Sequence, residues 1–203
     1  MSLKIFLILS LWICWQGRCS TKTVYKFTYA ECCTYTNIAT NVTCLIKAIN
    51  WSKAIAKIDM YLIRPLKNIS IHFKLFKKDY ANQYKPFLID VRFNLCDIIS
   101  KRNYLVYGTI VWKTMQRFTN VNHSCPLIGH LYARNMYLDD IYLPSFPLGF
   151  YKILFNVNDV NRDQIEDHGS IALFFEAMEE RRSKTKKGQI SNIYYMLSEE
   201  QKF

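Results

Sequence analysis

The chain has no apolar run long enough to cross a membrane, which takes about 20 residues; even the run from Ile5 to Trp15 is far shorter. It has no G-x-S-x-G nucleophile elbow, no phosphate-binding P-loop, no dinucleotide fingerprint and no H-E-x-x-H metal pair. There is no C-x-x-C pair to support a zinc site, although Cys125 lies near His123 and His130 in sequence. No aromatic RNP motif, zinc finger or basic helix is present. These absences remove the usual sequence signs of hydrolases, nucleotide-dependent enzymes, metalloenzymes and nucleic-acid binders. No residue set proposes a reaction, and no cofactor or metal is expected.

What the chain does have begins at the N-terminus. Lys4 precedes an almost wholly apolar run from Ile5 to Trp15, and Gln16-Gly17-Arg18-Cys19-Ser20 follows with small residues. A charged start, an apolar stretch of about 7–15 residues and a small-residue site form a secretory signal. Residues 1–19 are therefore expected to be removed after Cys19, leaving a secreted, extracellular chain.

Removing the signal takes away two of the seven cysteines and leaves Cys32, Cys33, Cys44, Cys96 and Cys125. In an oxidising compartment these read first as disulfides. Five is odd, and the vicinal pair Cys32 and Cys33 cannot easily bond to each other. Two bridges and a spare thiol follow, the spare being Cys33 or Cys32, which would allow a disulfide-linked dimer of an otherwise monomeric protein. Four N-x-S/T triplets, at Asn41, Asn50, Asn68 and Asn122, fit the same compartment. Asn68 leads among them, because Arg64-Pro65-Leu66-Lys67-Asn68 looks like an exposed turn.

The whole chain carries a net charge of +11. Such a balance suits nucleic acid, an anionic lipid surface or simple solubility. The lysines are spread through the chain, mostly on one side of alternating strands, and secretion argues against nucleic acid. A weak attraction to acidic head groups is compatible with this charge.

The dominant periodicity is two. Ile58, Met60 and Leu62 alternate with polar neighbours, as do Ile69, Ile71, Phe73 and Leu75. In Phe87–Leu95 every odd position is apolar; Tyr151–Val157 and Ile171–Phe175 follow the same rule. Successive side chains of a strand face opposite sides of a sheet, so half-buried strands write this pattern. Weaker strands near Thr23–Tyr29, Cys44–Trp51 and Gly129–Leu138 bring the count to about eight. Turns are expected at Arg64–Asn68, Asp79–Pro86, Pro144–Gly149 and Asn158–Gly169. The fold class is all-β, a two-sheet sandwich.

One segment breaks the period. From 98 to 118, Tyr104, Tyr107, Val111, Met115 and Phe118 recur at three- and four-residue intervals, which predicts a helical excursion between strands. Cys96 opens it and Cys125 closes it. A Cys96–Cys125 bridge would pin both ends, contributing about 3–4 kcal/mol in the chain-entropy model. Cys44 would then pair with Cys32 or Cys33.

Two clusters invite a catalytic reading. Asp139-Asp140 sits at an expected turn, and adjacent acids in a strand face opposite sides, so a solvated loop is the simpler reading. His123 lies beside Asn122 and Cys125. Asn120, Asn122 and His123 read more simply as groups that hydrogen-bond the backbone where the excursion re-enters the sheet. Beyond residue 178, the run Glu179–Gly188 is a solvated charged tail, with a short apolar cluster at Ile190, Tyr194, Tyr195 and Leu197.

Several segments together resemble a known family. They are Tyr84-Lys85-Pro86-Phe87-Leu88, Phe93-Asn94-Leu95-Cys96, Asn120-Val121-Asn122-His123-Ser124-Cys125-Pro126, Leu143-Pro144 and Pro147-Leu148-Gly149-Phe150-Tyr151. The chain resembles, over residues 23 to 178, a large insect family of secreted proteins that includes the CheB-type chemosensory proteins and is related to the ML lipid-recognition superfamily. Lys26-Phe27-Thr28 with Cys32, and Cys44-Leu45, sit where that family keeps its first two cysteines. Cys33 is extra, Asp79–Gln83 replaces the usual Asn-Gly turn, and the tail runs longer than a sandwich requires.

The resemblance implies an immunoglobulin-like, ML-like two-sheet sandwich over residues 20–178 whose sheets part to hold an apolar ligand, followed by the tail at 179–203. It implies a secreted binding protein for a lipid or other small hydrophobic molecule, in some members linked to chemosensation or pheromone response. The inward residues Met60, Phe73, Phe87, Val91, Phe93, Tyr151, Phe155, Leu173 and Phe175 are the candidate cavity walls, since ligand pockets are mostly apolar. The alternative is a secreted protein-interaction module or receptor cofactor, contacting a membrane receptor through a dry sandwich.

Overall fold

The period-two segments fold as long antiparallel strands. The structure, a computed structural model, describes residues 22–34, 37–101, 106–121, 123–139, 143–161 and 164–180. The expected signal peptide at 1–19, the sequon at Asn122 and nearly all of the charged tail lie outside these residues. The strands are β1 (Thr23–Thr34), β2 (Ala39–Ala48), β3 (Ala54–Leu66), β4 (Ile69–Lys78), β5 (Tyr84–Asn94), β6 (Leu127–Met136), β7 (Gly149–Asn161) and β8 (Gln164–Glu179). Two helices, α1 (Leu95–Lys101) and α2 (Val106–Phe118), lie between β5 and β6.

The strands form a five-stranded sheet, β1-β8-β7-β4-β5, and a three-stranded sheet, β2-β3-β6. The expected all-β sandwich is what forms, with apolar faces packed against each other. In β3 the even positions Ala54, Ala56, Ile58 and Leu62 are buried; in β4 the odd positions Ile69, Ile71, Phe73 and Leu75 are. From Phe87 onward β5 keeps its odd residues inward, and the even apolar residue Leu88, with a positive φ of 57°, is 73% exposed. It sits where the β4–β5 register shifts between Lys74 and Phe76, so a bulge turns it outward.

The turn expected over Asn158–Gly169 is instead paired strand. The β7–β8 ladder continues from Val157↔Gly169 to Asn161↔Gln164. Backbone hydrogen bonds hold such a hairpin extension even where polar side chains give no hydrophobic signal. Gly169 is required there: its φ is +129°, and a Cβ would meet the Cys33 carbonyl oxygen at 2.2 Å.

The helical excursion is two helices rather than one. Asn94 Oδ1 accepts a hydrogen bond from the Asp97 amide at 3.1 Å, capping α1 at its start. After α2, Thr119 forms an isolated antiparallel bridge with Ala133 of β6. The Asn120 side chain continues this attachment: its Nδ2 donates to the His130 carbonyl at 2.7 Å, and its Oδ1 accepts from the Tyr132 amide at 2.9 Å. The excursion thus re-enters the sheet through an amide clamp on β6, as read for Asn120.

Two disulfides form, Cys32–Cys44 and Cys96–Cys125, with Cα separations of 6.1 and 5.7 Å. Of the vicinal pair it is Cys33 that is free, and it is exposed. The first bridge ties the two sheets together through β1 and β2. The second ties the start of α1 to the segment that enters β6.

Candidate functional site

The buried side chains separate into two clusters. One holds Tyr25, Phe27, Phe73, Leu75, Phe146, Tyr151 and Phe175; the other holds Ile38, Leu62, Leu66, Ile69, Ile71, Leu95 and Leu127. Between the sheets, bordered by both clusters, lies a cavity of about 330 Å³ whose wall is almost entirely carbon. Protein interiors ordinarily leave few voids larger than a water molecule, so a space of this size is a structural feature and not a packing residue. It falls within the size range of small-molecule pockets.

Three elements build the cavity. The large sheet contributes Phe73, Phe155 and Leu173, the small sheet Ile58, Met60 and Leu131, and helix α2 presents Ile110, Val111, Met115 and Phe118. The α2 residues recur at one-, three- and four-residue steps, giving one apolar helix face. Helix α2 packs on β6, the edge strand of the small sheet, while α1 lies against β4 and β5 of the large one.

The polar groups at the wall gather in two places. His168, 3% exposed, borders the cavity together with Thr34 and Ser170. At the α2 end stand Lys113, Arg117, Tyr137 and Asp139. Arg117 Nη1 donates to Asp139 Oδ2 at 3.3 Å, and Nη2 donates to the Tyr137 hydroxyl at 2.5 Å. The guanidinium also lies 5.1 Å from the ring centres of Phe118 and Tyr137. On Tyr137 a second cation rests, with Lys53 Nζ 3.7 Å from the ring centroid.

Of the nine inward residues singled out from the strands, Met60, Phe73, Phe155 and Leu173 reach the cavity. Met60 and Phe155 also pack against both clusters. Phe87, Val91, Phe93, Tyr151 and Phe175 are not at its wall: Tyr151 and Phe175 are buried in the first cluster, and Phe87, Val91 and Phe93, partly buried, pack against it. Tyr151 and Phe175 stack at 5.1 Å, and Phe87 lies 5.7 Å from Tyr151. Tyr151 has no exposed surface and its hydroxyl donates to the Pro147 carbonyl at 2.5 Å; burial pushes its ionisation up to about 12. Sequence reading missed the helical wall as part of the site, although the spacing of Val111, Met115 and Phe118 was its signal. It also missed His168, which lay in an expected turn.

The residues with chemical potential lie elsewhere or are occupied. Cys125 is in a disulfide, His123 Nδ1 bonds to the Ser124 carbonyl at 2.8 Å, and His130 Nε2 bonds to Asp59 at 2.9 Å. Among the described residues no three metal-ligating side chains come together. Asp139 is held by Arg117, and Asp140 lies outside the described residues. His72, on β4, bonds through Nε2 to Asp90 at 2.5 Å, while Arg92 Nε donates to its Nδ1 at 3.3 Å. The accepting Nδ1 makes Nε2 the protonated nitrogen, and the hydrogen bond from His72 holds the Asp90 carboxyl below its ordinary range.

The described sequons differ in setting. Asn50 is exposed in the turn between β2 and β3, where its Oδ1 accepts from the Ser52 and Lys53 amides at 2.9 and 2.7 Å. The Ser52 hydroxyl also bonds to that oxygen at 3.1 Å. Asn41 is exposed at a bulge in β2. Asn68, expected in an exposed turn, is half-buried between two strands separated by only two residues, and its Oδ1 accepts from Asn94 Nδ2.

Residues 71–153 match the family described as "Protein of unknown function (DUF1091)". No curated protein matches the sequence. The matched span runs from β4 through α1, α2 and β6 into β7, and so contains the helical wall of the cavity and its cationic end.

Proposed function

We propose that the protein is a secreted carrier of a small apolar molecule, a lipid or comparable hydrophobic compound, held between the two sheets beneath α2. The observation that carries this reading is the carbon-walled cavity of about 330 Å³ in a sandwich otherwise packed around one aromatic and one aliphatic cluster. A ligand seated there would remove apolar wall from water, worth about 25 cal/mol per Å² covered. Two disulfides in a small sandwich support secretion, as does the signal-like N-terminus. The resemblance to the insect family with CheB-type and ML relatives supports a lipid-recognition role, with chemosensation as its setting. The reading assigns no catalytic residue.

One other observation favours a protein-contact role. The outer face of the large sheet carries Tyr29, 57% exposed, against Phe174 at 5.7 Å, with Tyr84 against the same ring at 5.5 Å. Lys152 and Lys78 lie 5.4 and 5.8 Å from Phe174 and Phe150. Exposed aromatics are enriched in protein interfaces, so this face is where a receptor would dock if the protein acted as a cofactor. The protein is otherwise a monomer, and exposed Cys33 is its route to a disulfide-linked pair.

Organic extraction of the protein purified from a secretory host, followed by mass spectrometry, tests the carrier reading. A co-purifying apolar molecule, or saturable uptake of cis-parinaric acid, is the expected result. An empty protein that takes up no probe overturns it and leaves the contact reading.

A further inference from the structure

We infer that the ligand is a long-chain carboxylate whose head group is held at the α2 end of the cavity by Arg117; this rests on the carrier reading above. The cavity wall is carbon nearly throughout, so charge at its edge marks where a polar head can stay while the chain is buried. Three cations gather at the α2 end. Lys113 and Arg117 border the cavity one helical turn apart, and Lys53 shares the Tyr137 ring with Arg117. Arg117, its side chain 48% exposed, pairs there with Asp139, 16% exposed.

Arg117 has the geometry for a carboxylate. Its fork is oriented by Asp139 and by the Tyr137 hydroxyl, and these take only two of its five N–H donors. A planar guanidinium matches a carboxylate in a two-bond pairing that a single ammonium does not make. The chain would then lie along Met115 and Phe118 towards Met60 and Phe155. Asp139 acts as a positioning residue.

The test compares cis-parinaric acid with its methyl ester on the full secreted chain, by fluorescence titration at neutral pH. Wild type is expected to bind the acid about tenfold more tightly than the ester, the scale of one charge-assisted hydrogen bond. Raising salt should weaken the acid only. In Arg117→Gln the acid should fall to the ester's affinity while the ester is unchanged, which separates head-group recognition from a general loss of structure. Arg117→Lys should recover part of the preference. Equal binding of acid and ester by wild type, or equal loss of both in Arg117→Gln, overturns the inference and leaves the carrier reading standing. Failure of both probes to bind overturns the carrier reading and this inference with it.

Discussion

The hydroxyl of Tyr25 donates to the Pro144 carbonyl at 3.0 Å and accepts from the Phe146 amide at 3.1 Å, joining β1 to a segment some 120 residues away. This single phenol holds the connection between β6 and β7 against the end of the sandwich. It thereby seats Phe146, 4% exposed, among Tyr25, Tyr151 and Phe175, with ring centres 5.4 to 6.3 Å from its own. The aromatic cluster closes one end of the interior and leaves the cavity to the other.

Tyr25→Phe keeps the ring and removes both bonds. The buried Phe146 amide then lacks its acceptor, which costs about 1–3 kcal/mol. A fall of that size in urea unfolding is expected. A change below about 0.5 kcal/mol, the scale of an ordinary surface substitution, would show that the connection is held by packing alone.

The nine inward residues should divide energetically as they divide spatially. Phe175, stacked on Tyr151 in the packed cluster, should cost about 3–5 kcal/mol on truncation to Ala. Met60 already faces open volume, so Met60→Ala should fall at the low end for such changes, about 2 kcal/mol. Conversely, Met60→Ala should alter uptake of cis-parinaric acid, whereas a conservative Phe175→Leu should not. Denaturant midpoints and probe titrations on the same samples check both halves.

Glycan mapping after expression through a secretory pathway should find sugar on Asn50. Its turn is exposed and already brings the Ser52 hydroxyl to its side-chain oxygen at 3.1 Å. Asn68 should be bare, because a sugar there would displace its bond with Asn94 between paired strands. A glycan on Asn68 in folded, secreted protein would contradict this.

The alkaline limb of stability should belong in part to Tyr151. Its ordinary ionisation lies at 10.0 and burial raises it to about 12. The folded state therefore keeps a proton that the unfolded chain has released. Stability is full below pH 10 and is lost as the pH climbs towards 12. Tyr151→Phe cannot ionise, so its stability should fall less over that interval. At neutral pH it should be about 1 kcal/mol less stable, having lost the bond to Pro147. Unfolding titrations of both proteins across the alkaline range provide the check.

The strands were legible because each writes a local pattern: Ile69, Ile71, Phe73 and Leu75 alternate whatever they pack against. The excursion was legible for the same reason, although its division into α1 and α2 was not. Residues 158–169 misled because polar side chains such as Asn158 and Asp167 give no alternation, while their backbones remain paired in the β7–β8 ladder.

By itself, then, the sequence determined the all-β class, most of the strands and their two faces, since these follow from side-chain alternation along neighbouring residues. It also named the cysteines that bridge, apart from the choice between Cys32 and Cys33. Only the tertiary structure decided that Cys33 is the free thiol. Only it decided which inward residues meet in a packed cluster and which stand around a void. Phe175 and Leu173 carry the same local signal, two positions apart on one strand. What separates them is distance along the sandwich: one meets Tyr151 and Phe146, and the other meets the space that α2 spans but does not fill.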